Sequence, residues 1–456
     1  NIYSNDGYKG GIVFNPVTVY DGVVDLGYSS QDSLASNFGQ LIPVSEKWGR
    51  FNFSTDHRSI KFPGLSYGIN GNFMYLDQYQ SLIFSHDEIG YTPIGIPEGD
   101  APAHFTQMMF NIDPHIKYIN PDNNTRHSYK ARFFRDDYQP LDDEIGFSNI
   151  LFQEYQFQKT FNIKEAKVVS TTGLTSNYVK GDYDDIYGEG GNSRVKQLFN
   201  YSGYSQLDVK YQKFNLSFGG RVEHLLFDDD SYIIPVFRSG INYRLLEGTY
   251  LRGSIGQGYR YPTIMEMFVK TDYHPVYVYS NPDLIAESGW SAEIGAKQLL
   301  KIGEWKGMVD VAGFVMHYND MIEFTFGQWG EVNGLDPMSN LLGLGFKCVN
   351  IGATRISGVE ISAMGSGKIG NFDISLIGSY TYVHPISLDP DSTYYTYDMG
   401  EVPVYITYNN ASYDNSENLL KYRHEHLLKF DINIEFANIM TGLSVRYNSL
   451  MKNMDA

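Results

Sequence analysis

Residues 428–436 read Leu428-Lys429-Phe430-Asp431-Ile432-Asn433-Ile434-Glu435-Phe436. Five apolar side chains fall on one parity and four polar or charged ones on the other. Successive side chains of a strand point to opposite faces, so this segment has one greasy face and one wet face. The pattern recurs at Phe214, Leu216, Phe218 and Val222 against Asn215, Ser217, Arg221 and Glu223. It recurs at Phe372, Ile374, Leu376, Tyr380 and Tyr382 against Asp373, Ser375, Ser379 and Thr381, and near the start at Tyr67, Ile69, Phe73 and Tyr75 against Asn70 and Asn72. Strands of this kind need an apolar medium on one side and water on the other, and a transmembrane β-barrel supplies both. A soluble β-sandwich also alternates, but three features favour the barrel. The run from Phe372 to Tyr382 spans roughly 33 Å at about 3.3 Å per residue. Tilted by about 45°, it covers roughly 23 Å, close to the apolar band of an outer-membrane barrel. Tight turns alternate with long connections. The 456 residues run on without a domain break, far beyond one sandwich.

Composition agrees. Aromatic residues make up 15% of the chain, led by 37 Tyr and 28 Phe with only 4 Trp. Tyr at that level suits the girdles of a barrel, where an apolar ring and a polar tip meet the lipid boundary. No stretch approaches the roughly 18 uninterrupted apolar residues of a membrane helix. Mean hydropathy is −0.32, which a barrel tolerates because lipid-facing residues are diluted by lumen and loop residues. The net charge of −18 argues against a nucleic-acid partner, which needs a basic surface. Acidic clusters at Asp136-Asp137, Asp142-Asp143-Glu144, Asp182 with Asp184-Asp185, and Asp228-Asp229-Asp230 are expected between strands, as solvated loop tips. The single cysteine, Cys348, permits no internal disulfide and reads as a small side chain at a strand end. No metal site and no cofactor is expected.

Short polar turns are expected at Gln212-Lys213, Glu247-Gly248, Gly303 to Lys306, Gly365 to Asn371 and Ala437 to Met440, each joining two alternating runs. The other connections, about 258–286, 321–350 and 384–420, are long. Tight turns at one end and long loops at the other is the polarity of outer-membrane barrels. Helical signal is confined to Thr263 to Val269, just after Pro262. About 17 strands are expected, among them 23–34 and at least one within 77–125.

Four strings then resemble one family. Leu251-Arg252-Gly253-Ser254-Ile255-Gly256-Gln257-Gly258-Tyr259-Arg260-Tyr261-Pro262 resembles the glycine-rich strand and aromatic-Arg-x-Pro box of TonB-dependent outer-membrane receptors. Asn281-Pro282-Asp283-Leu284, followed by Glu287, Trp290 and Glu293-Ile294-Gly295, resembles the family's Asn-Pro-x-Leu box and Glu-x-Gly strand. Asn350-Ile351-Gly352, leading to Arg355 and Gly358-Val359-Glu360, is similar to its later Asn-x-Gly signature. Tyr422-Arg423 with His426 resembles its Arg-Pro-x-His strand, with His424 in place of the proline. Order and spacing match, and the texture resembles receptors of Bacteroidota. The resemblance implies a barrel of about 22 strands when complete, of which about 17 lie here. Residues 1–20 read as a lead-in, either the end of a plug or a first strand. Residues 21–456 read as a partial receptor barrel, with the plug and last strands expected beyond the chain.

The implied function is active import of a scarce solute, such as a siderophore, haem, cobalamin, oligosaccharide or peptide, across the outer membrane of a Gram-negative bacterium. The implied partners are the TonB complex, reached through a plug, outer-membrane lipid and a surface lipoprotein. The alternative is a passive channel or the barrel of a secretion complex. An enzyme is not expected, since neither Gly-x-Ser-x-Gly nor His-Glu-x-x-His occurs. Charges are tolerated in a wet lumen and costly against lipid. Arg221, Arg252, Arg260, Glu293, Arg355 and Glu360 are therefore expected to face the lumen, where the resemblance has them meet the plug. In haem receptors of this family a histidine between the aromatic-Arg-x-Pro and Asn-Pro-x-Leu boxes ligates iron. His274, flanked by Tyr273 and Tyr277, occupies that interval.

Overall fold

The computed structural model describes residues 2–5, 45–80, 84–87, 90–93, 103–140, 146–182, 195–227, 230–273, 276–330, 343–399 and 402–456. One antiparallel sheet of 17 strands dominates. In order these are Ile2–Asn5, Ser45–Arg58, Leu65–Gln80, Ala103–Asn120, Thr125–Pro140, Gly146–Ile163, Ala166–Asp182, Val195–Tyr211, Phe214–Phe227, Asp230–Leu246, Thr249–Arg260, Glu287–Ile302, Trp305–Asn319, Thr354–Ile369, Phe372–Ser387, His426–Phe436 and Ile439–Asn448. Each pairs with the next, so the sheet is an up-and-down meander. Among the described residues its edges, Ile2–Asn5 and Ile439–Asn448, are not paired with each other. The expected strand at 23–34 and the lead-in over 1–20, apart from residues 2–5, lie outside the described residues.

Register fixes the two faces. Phe214 stands opposite Tyr243, Leu216 opposite Ile241, Ile434 opposite Ile374, and Ile432 opposite Leu376. These residues share a parity with Phe218, Val222, Ile255, Ile294, Val311 and Ile361, all of which are large, apolar and exposed. Ile294 is 75% exposed. On the opposite parity, Asn215 meets Asn242, Arg252 meets Gly295, and Asp431 meets Ser444. An exposed apolar face with its polar counterpart turned inward is the inverse of a soluble fold and the pattern of a membrane barrel. Paired rings on the apolar face sit near both rims. Phe214–Tyr243 (4.6 Å) and Phe372–Phe436 (4.9 Å) lie beside the tight turns, and Trp290–His317 (6.2 Å) lies towards the long loops.

The tight turns fall where the sequence implied, two of them shorter than expected (Gly303-Glu304 and Ala437-Asn438), with a further one at Lys164-Glu165. Lys164-Glu165, Gln212-Lys213, Glu247-Gly248, Gly303-Glu304, Gly370-Asn371 and Ala437-Asn438 each join two strands. The exception is 365–371, where the expected turn is largely strand, since Thr354–Ile369 runs through it. The cause is Trp305. A Cβ on Gly307 or Gly365 would come within 2.3 or 2.1 Å of its ring, so these glycines make room for the indole and do not end the strand. The acidic clusters also differ from expectation in part. Asp136 and Asp137 lie within Thr125–Pro140, while Asp182 and Asp230 lie at strand ends.

The long connections carry structure of their own. Thr271–Tyr273, Val276–Tyr279, Leu344–Asn350 and Ile322–Gln328 form a separate four-stranded sheet, and Thr393–Met399 pairs with Val402–Thr407. The helix expected after Pro262 is present as Ile264–Phe268, with a Thr263/Glu266 capping box.

The two-faced sheet makes a measurable prediction. Ile294→Arg should cost about 2–4 kcal/mol if the residue sits at mid-membrane. Ser362→Arg, on the polar parity, should cost much less. Reversible unfolding in lipid vesicles checks this, and equal costs would contradict the assignment of faces.

Candidate functional site

The polar wall is laced by ion pairs within and between neighbouring strands. Arg252 Nε donates to Glu293 (2.6 Å) and Nη1 to Asp310 (2.5 Å), while Lys297 reaches Asp310 from the other side (3.2 Å). Arg221 pairs with Glu223 (2.9 Å), Arg132 with Asp113 (2.6 Å) and Lys130 with Glu154 (2.6 Å). Five of the six charges expected in the lumen therefore lie on the polar parity: Arg221, Arg252, Arg260, Glu293 and Glu360. Arg355 does not. It is five residues from Glu360 in an unbulged strand, so the two must face opposite ways. Arg355 stands opposite His317 on the other face, near the loop end, where the long strands reach beyond the apolar band. A 16-residue strand such as Thr354–Ile369 extends roughly 50 Å at about 3.3 Å per residue.

The motif boxes, far apart in sequence, meet at the root of the loops. Arg260 donates to Glu287 (2.7 Å) and to both oxygens of Glu266 (2.8 Å each). Glu266 also accepts from Thr263 N (2.7 Å), which ties the helix start to the wall. Burial alone would raise the Glu266 carboxyl, but bonds from Thr263 and Arg260 prevail and hold it below its usual range. The second oxygen of Glu287 accepts from Ile322 N (3.0 Å). Asn281 donates to Cys348 O (2.8 Å). Asn350 donates to Ile285 O and Asp320 O and accepts from Ile285 N. Gly352 takes φ +83, which favours glycine, and its carbonyl accepts from Met321 N (3.1 Å). Behind these bonds lies an apolar cluster of Leu225, Phe227, Ile264, Met267, Phe268, Leu284, Ile322 and Cys348. Cys348 is thus a buried packing residue, and burial pushes its thiol up to about 11.

A second polar knot lies further out. Lys421 and Asp455 are both buried and pair at 2.7 Å. Asp455 also accepts from Thr325 Oγ1 (2.6 Å), Phe326 N (2.8 Å) and Tyr422 OH (3.0 Å). Burial raises the Asp455 carboxyl, but these donors outweigh it and hold it below the usual carboxylate range. Beside it, Glu323 is buried, with Arg423 3.8 Å from an Oε1 that has no hydrogen bond. Burial pushes its carboxyl up to about 7, against the pull of Arg423 and Lys421.

Of the expected ligand-binding residues, Tyr277 lies in Val276–Tyr279, with its ring 6.2 Å from that of Tyr279. Tyr273 ends Thr271–Tyr273. His274 lies outside the described residues. The sequence reading did not single out Glu266, Asn281, Asn350, Lys421 or Asp455. Asn281 and Asn350 stood inside the quoted boxes, whereas nothing local marks Asp455, whose partner Thr325 is 130 residues away.

This wall and its loop root have known counterparts. Residues 2–453 match the family described as "TonB dependent receptor-like, beta-barrel", and the chain belongs to that family of Gram-negative outer-membrane receptors, which is not a family of enzymes. The chain is 24% identical over 170 residues to the hemoglobin-haptoglobin utilization protein B of Neisseria meningitidis serogroup C, covering 37% of this chain and 20% of that protein. It shares its fold with the Serratia marcescens hemophore receptor HasR, solved with its hemophore HasA and heme (TM-score 0.60, 14% identity, 91% of this chain and 66% of that one). The same holds for the ferric enterobactin receptor PfeA of Pseudomonas aeruginosa (TM-score 0.63, 11% identity, 98% and 62%). The chain thus spans less than two thirds of the length of these structures.

Two outcomes follow from the outer knot. Asp455→Ala strands a buried Lys421, and breaking such a pair costs about 3–5 kcal/mol. Hydrogen exchange in 322–328 and 419–423 should accelerate accordingly, and unchanged exchange would refute the pairing. For Glu323 the folded pKa of about 7 lies above its ordinary 4.5. The folded layer therefore holds a proton that the unfolded one has released, and its stability falls as pH rises towards and through 7. Proteolysis of the loop layer should be faster at pH 8 than at pH 6, and Glu323→Gln should flatten that difference.

Proposed function

We propose that the intact protein is a TonB-dependent importer that captures a scarce solute at its loop face and passes it inward through a gated lumen. The observation that carries this reading is the family match over residues 2–453, joined to a 17-stranded sheet with one polar face and an organised loop layer. A 17-stranded wall is wide enough to leak unless filled, and a plug is the filling this family implies. Most lumen charges are already neutralised by wall partners, so they would stiffen the wall more than bind the plug. Glu360 has no ion-pair partner among the described residues and is the better candidate for a plug contact. Outer-membrane lipid against the apolar face fits the same reading, and a surface lipoprotein over the loops remains part of the proposal.

For cargo we favour haem. Two similar proteins support this, one a hemoglobin-haptoglobin utilization protein and the other a hemophore receptor solved with heme. His274 is the proposed ligand, since imidazole suits iron, with Tyr273 and Tyr277 flanking it in the sequence.

The importer reading is tested by uptake in cells carrying the full gene, with and without the TonB complex. Uptake should vanish without TonB, and persistence would favour a passive channel or a secretion barrel. The cargo reading is tested separately. The purified receptor should shift the haem Soret band, and His274→Ala should weaken binding at least tenfold. An unaltered spectrum and affinity in the variant would remove His274 as a ligand.

A further inference from the structure

The loop root borders a cavity of ≈ 400 Å³ between wall residues and the start of the short helix. This is the low end of the range for small-molecule sites, roughly 300–1,000 Å³. Val179, Leu198, Leu225 and Ile264 supply an apolar lining, and Asn200, Glu223 and Tyr259 supply the polar one. The polar set is incompletely satisfied. Asn200 Nδ2 donates to Glu223 Oε2 (2.8 Å), which fixes the amide orientation and leaves the buried Oδ1 without a hydrogen bond. The hydroxyl of Tyr259 is likewise buried and unbonded. Buried polar atoms are nearly always paired, so two orphans at one cavity call for an explanation.

We propose that this cavity is a binding subsite for a ring-sized group that is neutral or cationic and carries an O–H or N–H donor. Asn200 Oδ1 lacks a donor, which such a group provides. The Tyr259 hydroxyl can donate to the group's oxygen or accept from it. The Glu223 carboxylate, already balanced by Arg221 at 2.9 Å, disfavours an anion beside it and tolerates a cation. The four aliphatic side chains take the ring. The site lies on the path that cargo would follow, so the proposal rests on the importer reading for its purpose. Its binding test does not.

The test uses the full-length receptor, plug included, in detergent micelles, with tyramine as the cationic phenol and 4-hydroxyphenylacetate as its anionic counterpart. Tyramine should bind saturably and the acid at least tenfold more weakly. Tyr259→Phe, which removes one oxygen, should weaken tyramine about fivefold, in line with the loss of roughly 1 kcal/mol for one hydrogen bond. Glu223→Gln should narrow the preference for the cation, a change that mere loosening of the wall would not produce. Ile264→Trp should fill the cavity and abolish binding, and Ser375→Ala, elsewhere on the lumen face, should do nothing. Absence of saturable binding, binding indifferent to Tyr259→Phe and Glu223→Gln, or a plug side chain seated in the cavity would each overturn the proposal. Uptake that survives loss of TonB would sink the importer reading and leave the subsite standing. TonB-dependent uptake with an empty cavity would do the reverse.

Discussion

A backbone surrounded by hydrocarbon has no water to bond its N–H and C=O groups, and every other feature of this chain is arranged around that constraint. Unpaired groups there cost several kcal/mol each. The answer is an antiparallel ladder in which each long strand pairs with its sequence neighbour over most of its length. The ladder in turn dictates parity. Once Phe214 faces Tyr243 and Arg252 faces Gly295, a slip of one residue would carry every charge into lipid. The register is therefore held by the cost of the wrong face as much as by the bonds of the right one.

The same constraint explains where the polar chemistry collects. The lumen face accepts charge, yet at Arg252, Arg221 and Lys130 each charge is answered by a carboxylate on the same or a neighbouring strand. Such pairs are partly exposed and individually worth little. Their value lies in direction, since each fixes two side chains against the wall and keeps the lumen clear. The exposed apolar side chains, such as Ile294 and Ile233, face outward, where lipid covers them.

Much of this was legible in the sequence because its code is local. Period-two alternation needs only neighbours, and so does the Thr263/Glu266 capping box that marks the five-residue helix. Arg355 was misplaced although the sequence held the correction: residues 355 and 360 differ by an odd number, and only a bulge could bring them to one face. The run 365–371 was misread because Gly365, which suggests a turn, instead clears space for Trp305, a reason visible only once the strands are paired. The outer knot was out of reach. Asp455 and Thr325 belong to different connections, and their bond depends on the folded position of both.

The loop root shows why the motif boxes have the residues they do. Arg260, Glu266 and Glu287 are a cation held between two carboxylates, and Glu287 also caps the amide of Ile322. Arg260 and Glu287 thereby tie together the end of a wall strand, the helix, the next wall strand and the start of the loop sheet. Asn281 and Asn350 do the same with neutral amides, Asn281 bonding Cys348 O and Asn350 bonding Ile285 O across to another connection. Amides suit this task because they donate and accept at once and bring no net charge into a site backed by Leu284 and Ile322. A loop layer rooted in this way is held in place above the lumen. The outer knot of Lys421, Asp455 and Glu323 joins further parts of the layer in the same way, with a buried ion pair at its centre.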